Sequence, residues 1–228
     1  MRMEKRIALT GSYGNGKTLV SLTLSELMGV PRAHVENIDV LYRDIYGVGK
    51  NPKFYTMPEL FSVGLARFHS RIKQEKQTGF ISDGSVLNEL AYGEARMRMS
   101  SKQTGTLSLR NLLYSNMYKD FGYRLERTIV DYAKTAYDEV YYLKIDPLPS
   151  ACSQTNLLFQ NYFEEALFRL FENNGIKYKC LVGGIESFIL AIWDSCNCKT
   201  IERVTIQEAL NIAVEKKKSL REDFHFGK

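Results

Sequence analysis

The sequence predicts an α/β fold in which a parallel sheet is flanked by helices, and three observations carry that expectation. Short apolar runs alternate with helix-period segments along most of the chain, the pattern left by crossover connections. The first apolar run passes directly into a glycine-rich turn and then a helical stretch. The 228 residues suffice for one sizeable core, and no internal repeat, low-complexity tract or linker divides them. One domain over residues 1–228 is expected.

The elements follow in order. Residues 6–10 (RIALT) read as a strand, and residues 17–28 as a helix carrying Leu19, Val20, Leu22, Leu24 and Leu27. Gly29 and Pro31 stop it as a C-cap glycine and a trailing proline do. A second short run, roughly residues 34–39, ends on Asp39. Thr56-Met57-Pro58-Glu59 has capping-box spacing with proline in the first turn, so a helix is predicted through about Lys76, where Gly79 follows. Residues 80–83 form the third predicted strand. Residues 86–99 and 107–134 read as helices separated by the polar stretch SSKQTG, a predicted loop.

VYYLKI, residues 140–145, is the fourth strand, closed by Asp146-Pro147. Phe159, Phe163, Ala166, Leu167 and Leu170 repeat at helical spacing within residues 156–173. Gly175 ends that helix, residues 178–182 make the fifth strand, and residues 186–196 and 205–220 add two helices.

Gly11-Ser12-Tyr13-Gly14-Asn15-Gly16-Lys17-Thr18 fits G-x-x-x-x-G-K-[ST] without a mismatch, between a strand and a helix. Glycines let successive backbone N–H groups turn toward phosphate oxygens, and the helix that follows offers open N–H groups at its positive end. Lys17 is expected to reach the β- and γ-phosphates of a nucleoside triphosphate, and the Thr18 hydroxyl to ligate Mg²⁺. Phe80-Ile81-Ser82-Asp83 is an apolar run ending on a carboxylate, placed to serve Mg²⁺ or to accept a proton from an attacking hydroxyl. Asp39, at the tip of the second predicted strand, is the other candidate acid, and Arg43 lies one turn beyond it. Arginine near the γ-phosphate is a common need of phosphoryl transfer. The candidates are Arg96 and Arg98, with Lys102 in the loop, and Arg124 and Arg127 on one helix face; of these, Arg124 and Arg127 are taken as catalytic candidates.

Composition narrows the classes. No run of about 18 apolar residues occurs, so no membrane span is expected, and the start lacks the apolar stretch of a signal peptide. The cytoplasm is the expected compartment. The cysteines, Cys152, Cys180, Cys196 and Cys198, form no pair of C-x-x-C units and read as reduced, mostly buried thiols. A net charge of +5 suits an anionic small ligand as well as a nucleic acid. Lys216-Lys217-Lys218, near the end of the last helix, reads as a solvated face.

Together these residues resemble the P-loop nucleoside and nucleotide kinase group, which includes thymidylate kinases, deoxynucleoside kinases and nicotinamide-riboside kinase-like domains. The likeness rests on TGSYGNGKT, FISDGSVLNELAY, YDEVYYLKIDPLP and KYKCLVGGIESFILAI. It implies a three-layer P-loop NTPase sandwich with strand order 2-3-1-4-5, binding of ATP at residues 11–18, a catalytic or Mg²⁺-linked Asp83, and adenine contact near Gly183 and Gly184. The chain departs from the group in two places. Gly84 follows the acid where many relatives have arginine, and the lid-like residues 147–158 hold no arginine or lysine.

The implied activity is phosphoryl transfer from ATP to a hydroxyl of a small nucleoside or nucleotide. A kinase of a modified base or end in DNA is an alternative, supported only by the net charge and the lysine run. A non-kinase NTPase switch is another, although Asp83 is not followed by Glu and no N-K-x-D motif occurs. A homo-oligomer is compatible with the sequence, which does not specify one.

Overall fold

The computed structural model describes residues 4–51, 55–103, 109–146, 154–196 and 205–222. Its sheet has five parallel strands: β1 (Arg6–Thr10), β2 (Arg32–Ala33), β3 (Phe80–Asp83), β4 (Glu139–Ile145) and β5 (Lys179–Gly183). Their order is β2-β3-β1-β4-β5, the order implied by the resemblance.

The strand sequences explain the layering. In β1, Ile7 and Leu9 point to one face and Ala8 to the other, and all three are fully buried. The neighbours repeat the division: Phe80, Val140 and Tyr142 on one side, Ile81, Tyr141 and Leu143 on the other. Both faces of the central strands are therefore apolar, as a sheet covered on two sides requires. One face is covered by α1 (Lys17–Met28), α7 (Ile185–Ser195) and α8 (Ile206–Glu222). The other is covered by α4 (Val86–Gln103), α5 (Leu109–Ala136) and α6 (Gln154–Asn174). The remaining helices, α2 (Ile38–Tyr46) and α3 (Met57–Gln74), enclose a small cluster of Tyr42, Tyr55 and Val63.

Helix α3 starts where its capping residues direct, with the Thr56 N–H donating to Glu59 Oε2 at 2.6 Å. Three expectations are corrected. The second strand is two residues long and earlier than predicted, and Asp39 lies in the first turn of α2 instead of at a strand tip. Ile38, Leu41 and Tyr42 meet Leu60 and Val63 from α3, so this run is helix-period, and an acid in the first turn suits the positive helix end. The polar stretch after residue 99 begins as helix, since α4 runs to Gln103; part of that stretch lies outside the described residues. Of the thiols, Cys196 is buried but Cys180 is exposed on the edge strand, and Cys152 and Cys198 lie outside the described residues. Among the described residues no helix is long and apolar enough to cross a membrane.

Candidate active site

The parallel register brings the strand ends together. Leu9 pairs with Asp83 and Thr10 with Tyr142, so the carboxylate stands beside the turn that leaves β1. That turn holds positive φ at Gly11, Gly14 and Gly16. At Gly11 the requirement is double: φ is 137°, and a Cβ would lie 2.6 Å from the Leu143 carbonyl oxygen. Asn15, buried within the loop, donates from Nδ2 to that same carbonyl at 2.7 Å and to Ser12 Oγ at 3.1 Å. The loop is thus pinned to β4 from inside.

Gly16 caps α1 without a side-chain hydrogen bond, and the first turn carries no acid, so the helix N-terminus opens toward the cleft. Lys17 folds back and donates from Nζ to the carbonyls of Gly11 at 2.8 Å and Ser12 at 2.6 Å. Burial lowers the Lys17 ammonium to about 8, with Asp83 opposing the shift and Arg71 adding to it.

Asp83 is nearly enclosed. Arg32 Nη2 donates to its Oδ2 at 2.5 Å, and His34 Nδ1 lies 3.3 Å from the same oxygen. Arg32 and His34 are two residues apart on extended chain and so share a face. Burial pushes the Asp83 carboxyl up, but the His34 hydrogen bond and the charges of Arg32, His34 and Lys17 outweigh it. The group is held well below the usual carboxylate range. Both contacts fall on Oδ2, and among the described residues Oδ1 accepts no hydrogen bond.

Beneath Asp83 lies a buried polar network that sequence reasoning missed. Arg71 of α3 is 2% exposed. It donates to Ser82 Oγ at 2.9 Å, to the Asp83 carbonyl at 3.3 Å and to Glu89 Oε1 at 3.3 Å. Arg67, one turn earlier, pairs with Glu89 through Nε at 2.7 Å and Nη2 at 3.3 Å. Glu75 accepts from Ser82 Oγ at 2.5 Å, Tyr132 at 3.0 Å and Tyr137 at 3.1 Å; burial pushes its carboxyl up. Gly84 now has a reason. Its φ is 112°, and a Cβ there would come within 2.9 Å of Arg71 Nη2. The guanidinium that approaches this turn comes from α3, against a residue with no side chain.

These parts line one cleft of about 390 Å³, within the range of small-molecule sites. Its wall includes Gly14, Gly16, Lys17, Thr18, Asp39 and Asp83 from the sequence-derived candidates. It also includes His34, Asn37, Arg67, Arg71, Asn88 and Glu89, with Lys217 from α8. Tyr13 stands at the mouth, half exposed, its ring stacked on Tyr92 with centroids 4.7 Å apart. Phe159 of α6 joins the stack at 6.1 Å from both. Ser12 and Asn15 are buried behind the loop surface.

Other candidates fall elsewhere. Arg124 and Arg127 are exposed on α5, and Arg43 is exposed on α2; none of the three is part of the cleft wall. Arg96 and Arg98 turn to α6, over the Phe159 and Tyr162 rings. Lys102 and residues 147–153 of the lid-like stretch have no described side chains. Gly183 and Gly184 close β5 outside the cleft wall but beside the loop: a Cβ on Gly16 would overlap Ile185, the next residue.

One signal for the hidden network was available. Arg67 and Arg71 are at i and i+4, and Arg71 follows Phe68 on the helix face that packs inward. An arginine on an apolar stripe needs a buried partner.

A 2-3-1-4-5 parallel sheet whose central strand runs into a glycine loop is the P-loop fold, and solved structures share it. NadR in complex with NAD and AMP-PNP superposes with a TM-score of 0.57 at 15% identity, over 89% of this chain and 52% of that one. Deoxyadenosine kinase from M. mycoides with bound dATP superposes with a TM-score of 0.52 at 17% identity, over 85% of this chain and all of the other. In sequence, the chain is 29% identical to a deoxyadenosine kinase of Dictyostelium discoideum over 106 residues, 46% of this chain and 40% of that enzyme's length. No family model matches the chain.

Proposed function

We propose that this protein is a kinase that transfers the γ-phosphoryl group of ATP to a hydroxyl of a nucleoside. The observation that carries this reading is one cleft wall that joins two chemically different sets of groups. The glycine loop and the open N-terminus of α1 suit a polyphosphate. The same wall offers the Arg67 guanidinium, the Glu89 carboxylate and the stacked rings of Tyr92 and the loop residue Tyr13. A planar base with donors and acceptors on its edge suits such a surface. The similarity to deoxyadenosine kinases supports the same reading.

Thr18 and Asp83 fit a magnesium ion, because both supply oxygen and Asp83 is ionised with Oδ1 open. Mg²⁺, when bound, neutralises charge on the β- and γ-phosphates. Lys17 leaves its own loop carbonyls for phosphate oxygens. Asp83 is a poor base because its carboxyl is held so low; a proton acceptor works best with a pKa near the working pH. Asp39, on the cleft wall in the first turn of α2, is the carboxylate we assign to accept the hydroxyl proton. Adenine of the donor is assigned to the turn at Gly183–Gly184, beside the loop.

The test is turnover with Mg·ATP and a panel of nucleosides and deoxynucleosides. ADP should appear in step with one phosphorylated nucleoside; phosphate release without any acceptor would replace the kinase with an NTPase switch. A pH series checks the loop. Because burial lowers the Lys17 ammonium to about 8, its charge is lost from the free protein as pH rises through that value. ATP affinity measured by calorimetry should therefore decline above about pH 8. Affinity constant up to pH 9.5 would mean that Lys17 titrates at its ordinary value.

A further inference from the structure

We infer that Lys217, from the C-terminal helix, is a phosphate-contacting residue of the cleft, supplying the positive charge that the lid-like stretch lacks. The inference rests on the kinase reading and extends it to a residue in a run that reads as a solvated face.

Three observations place it. Lys217 is part of the cleft wall together with Lys17, Thr18 and Asp39, while Lys216 and Lys218 are exposed. Lys216 pairs with Glu26 of α1 and Lys218 with Glu215 of its own helix, and neither is part of the cleft wall. The direction of Lys217 follows from how α8 docks. Ala209 and Ala213 are fully buried, and Lys217 is the next step at i+4, on the same face. Two small residues in register let α8 lie close to α1, the helix whose N-terminus opens on the cleft.

The need for such a charge comes from the chemistry. A triphosphate and the transferring phosphoryl group require several cations, commonly including arginine or lysine beyond the loop lysine. Residues 147–158 contain neither. Arg67 and Arg71 line the cleft too, with their guanidiniums turned to Glu89. Lys217 reaches the same space from a different element, so a C-terminal helix does here what a basic lid does elsewhere. The closest phosphates are assigned to the terminal end of the donor, next to Thr18.

The experiment compares K217Q with K216Q and K218Q in the full chain, using calorimetric binding of Mg·ATP and of ADP, with thermal melting as the control for docking of α8. K217Q should weaken Mg·ATP about tenfold, the scale of one charge-assisted hydrogen bond, and ADP less. K217R should retain most of the affinity, and the two neighbouring variants should match the wild type. Equal affinity in all three glutamine variants overturns the inference. A second measurement needs no variant: Mg·ATP should protect Lys217 from acylation while Lys216 and Lys218 keep reacting, and absence of protection is equally fatal. Wild type that binds Mg·ATP with no role for Lys217 removes this inference alone. Wild type that binds no Mg·ATP removes the kinase reading with it.

Discussion

Asp83→Asn should lower the rate of phosphoryl transfer by about 10²-fold or more, the scale on which losing a preorganised charged group acts. Asparagine keeps the shape but withdraws the charge that faces Lys17 and turns an amide toward Arg32. If the carboxylate serves Mg²⁺, as its low-lying titration favours, raising Mg²⁺ should recover part of the loss. If it serves as base, Mg²⁺ should recover nothing. The pH profile separates the roles again. A group held well below the usual carboxylate range stays ionised through the neutral region, so Asp83 contributes no acidic limb above about pH 4. Its stabilising pair with Arg32 is present above the ordinary carboxylate value and is lost only as pH falls through the lowered one. The variant should also melt earlier, because Arg32 is left nearly buried without its carboxylate, a cost on the order of 3 kcal/mol. Unchanged transfer at every Mg²⁺ concentration would mean that Asp83 has no part in the reaction.

The sequence made the inner strands legible and the edges much less so. Residues 6–10 and 80–83 are apolar on both faces because the sheet is covered twice, and such runs stand out wherever they occur. β2 is two residues long at the edge of the sheet, too short for any periodicity, so the run containing Asp39 reads as the strand in its place. Strand order is a property of crossovers and cannot be read from any one segment; it came from the resemblance. The site divides the same way. Its loop is local, eight residues in a row whose glycines and lysine have a fixed spacing. The groups around it are not: Arg32 meets Asp83 across 51 positions, and Arg71 meets Glu89 across 18. Lys217 reaches the cleft only because α8 docks on α1. Charged residues on helices look alike in sequence whether solvated or buried, and only packing separates Arg71 from Arg124.

Arg71→Met should be the most damaging substitution to stability among the cleft residues. Methionine fills similar space, but it strips one donor from Glu89, one from Ser82 Oγ and one from the Asp83 carbonyl in a region closed to water. Removing one member of a buried ionic group costs about 3–5 kcal/mol. Arg67 still holds Glu89, so the lower end is expected, a fall in melting temperature of roughly 6–12 °C for a chain of this size. The loss should depend on pH. Arg71 opposes the upward push of burial on the Glu75 carboxyl, so without it Glu75 binds its proton more tightly in the folded state. A raised pKa gives stability at low pH that is lost as pH rises through the folded value, so the variant should lose more on the alkaline side of that value than on the acid side. Neutralising the stranded acid supplies the cross-check. Glu89→Gln on the Arg71→Met background should recover part of the stability, a coupling that independent sites do not show. Strict additivity of the two changes, with no pH dependence, would mean that Arg71 stabilises the fold only by filling the space beneath Gly84.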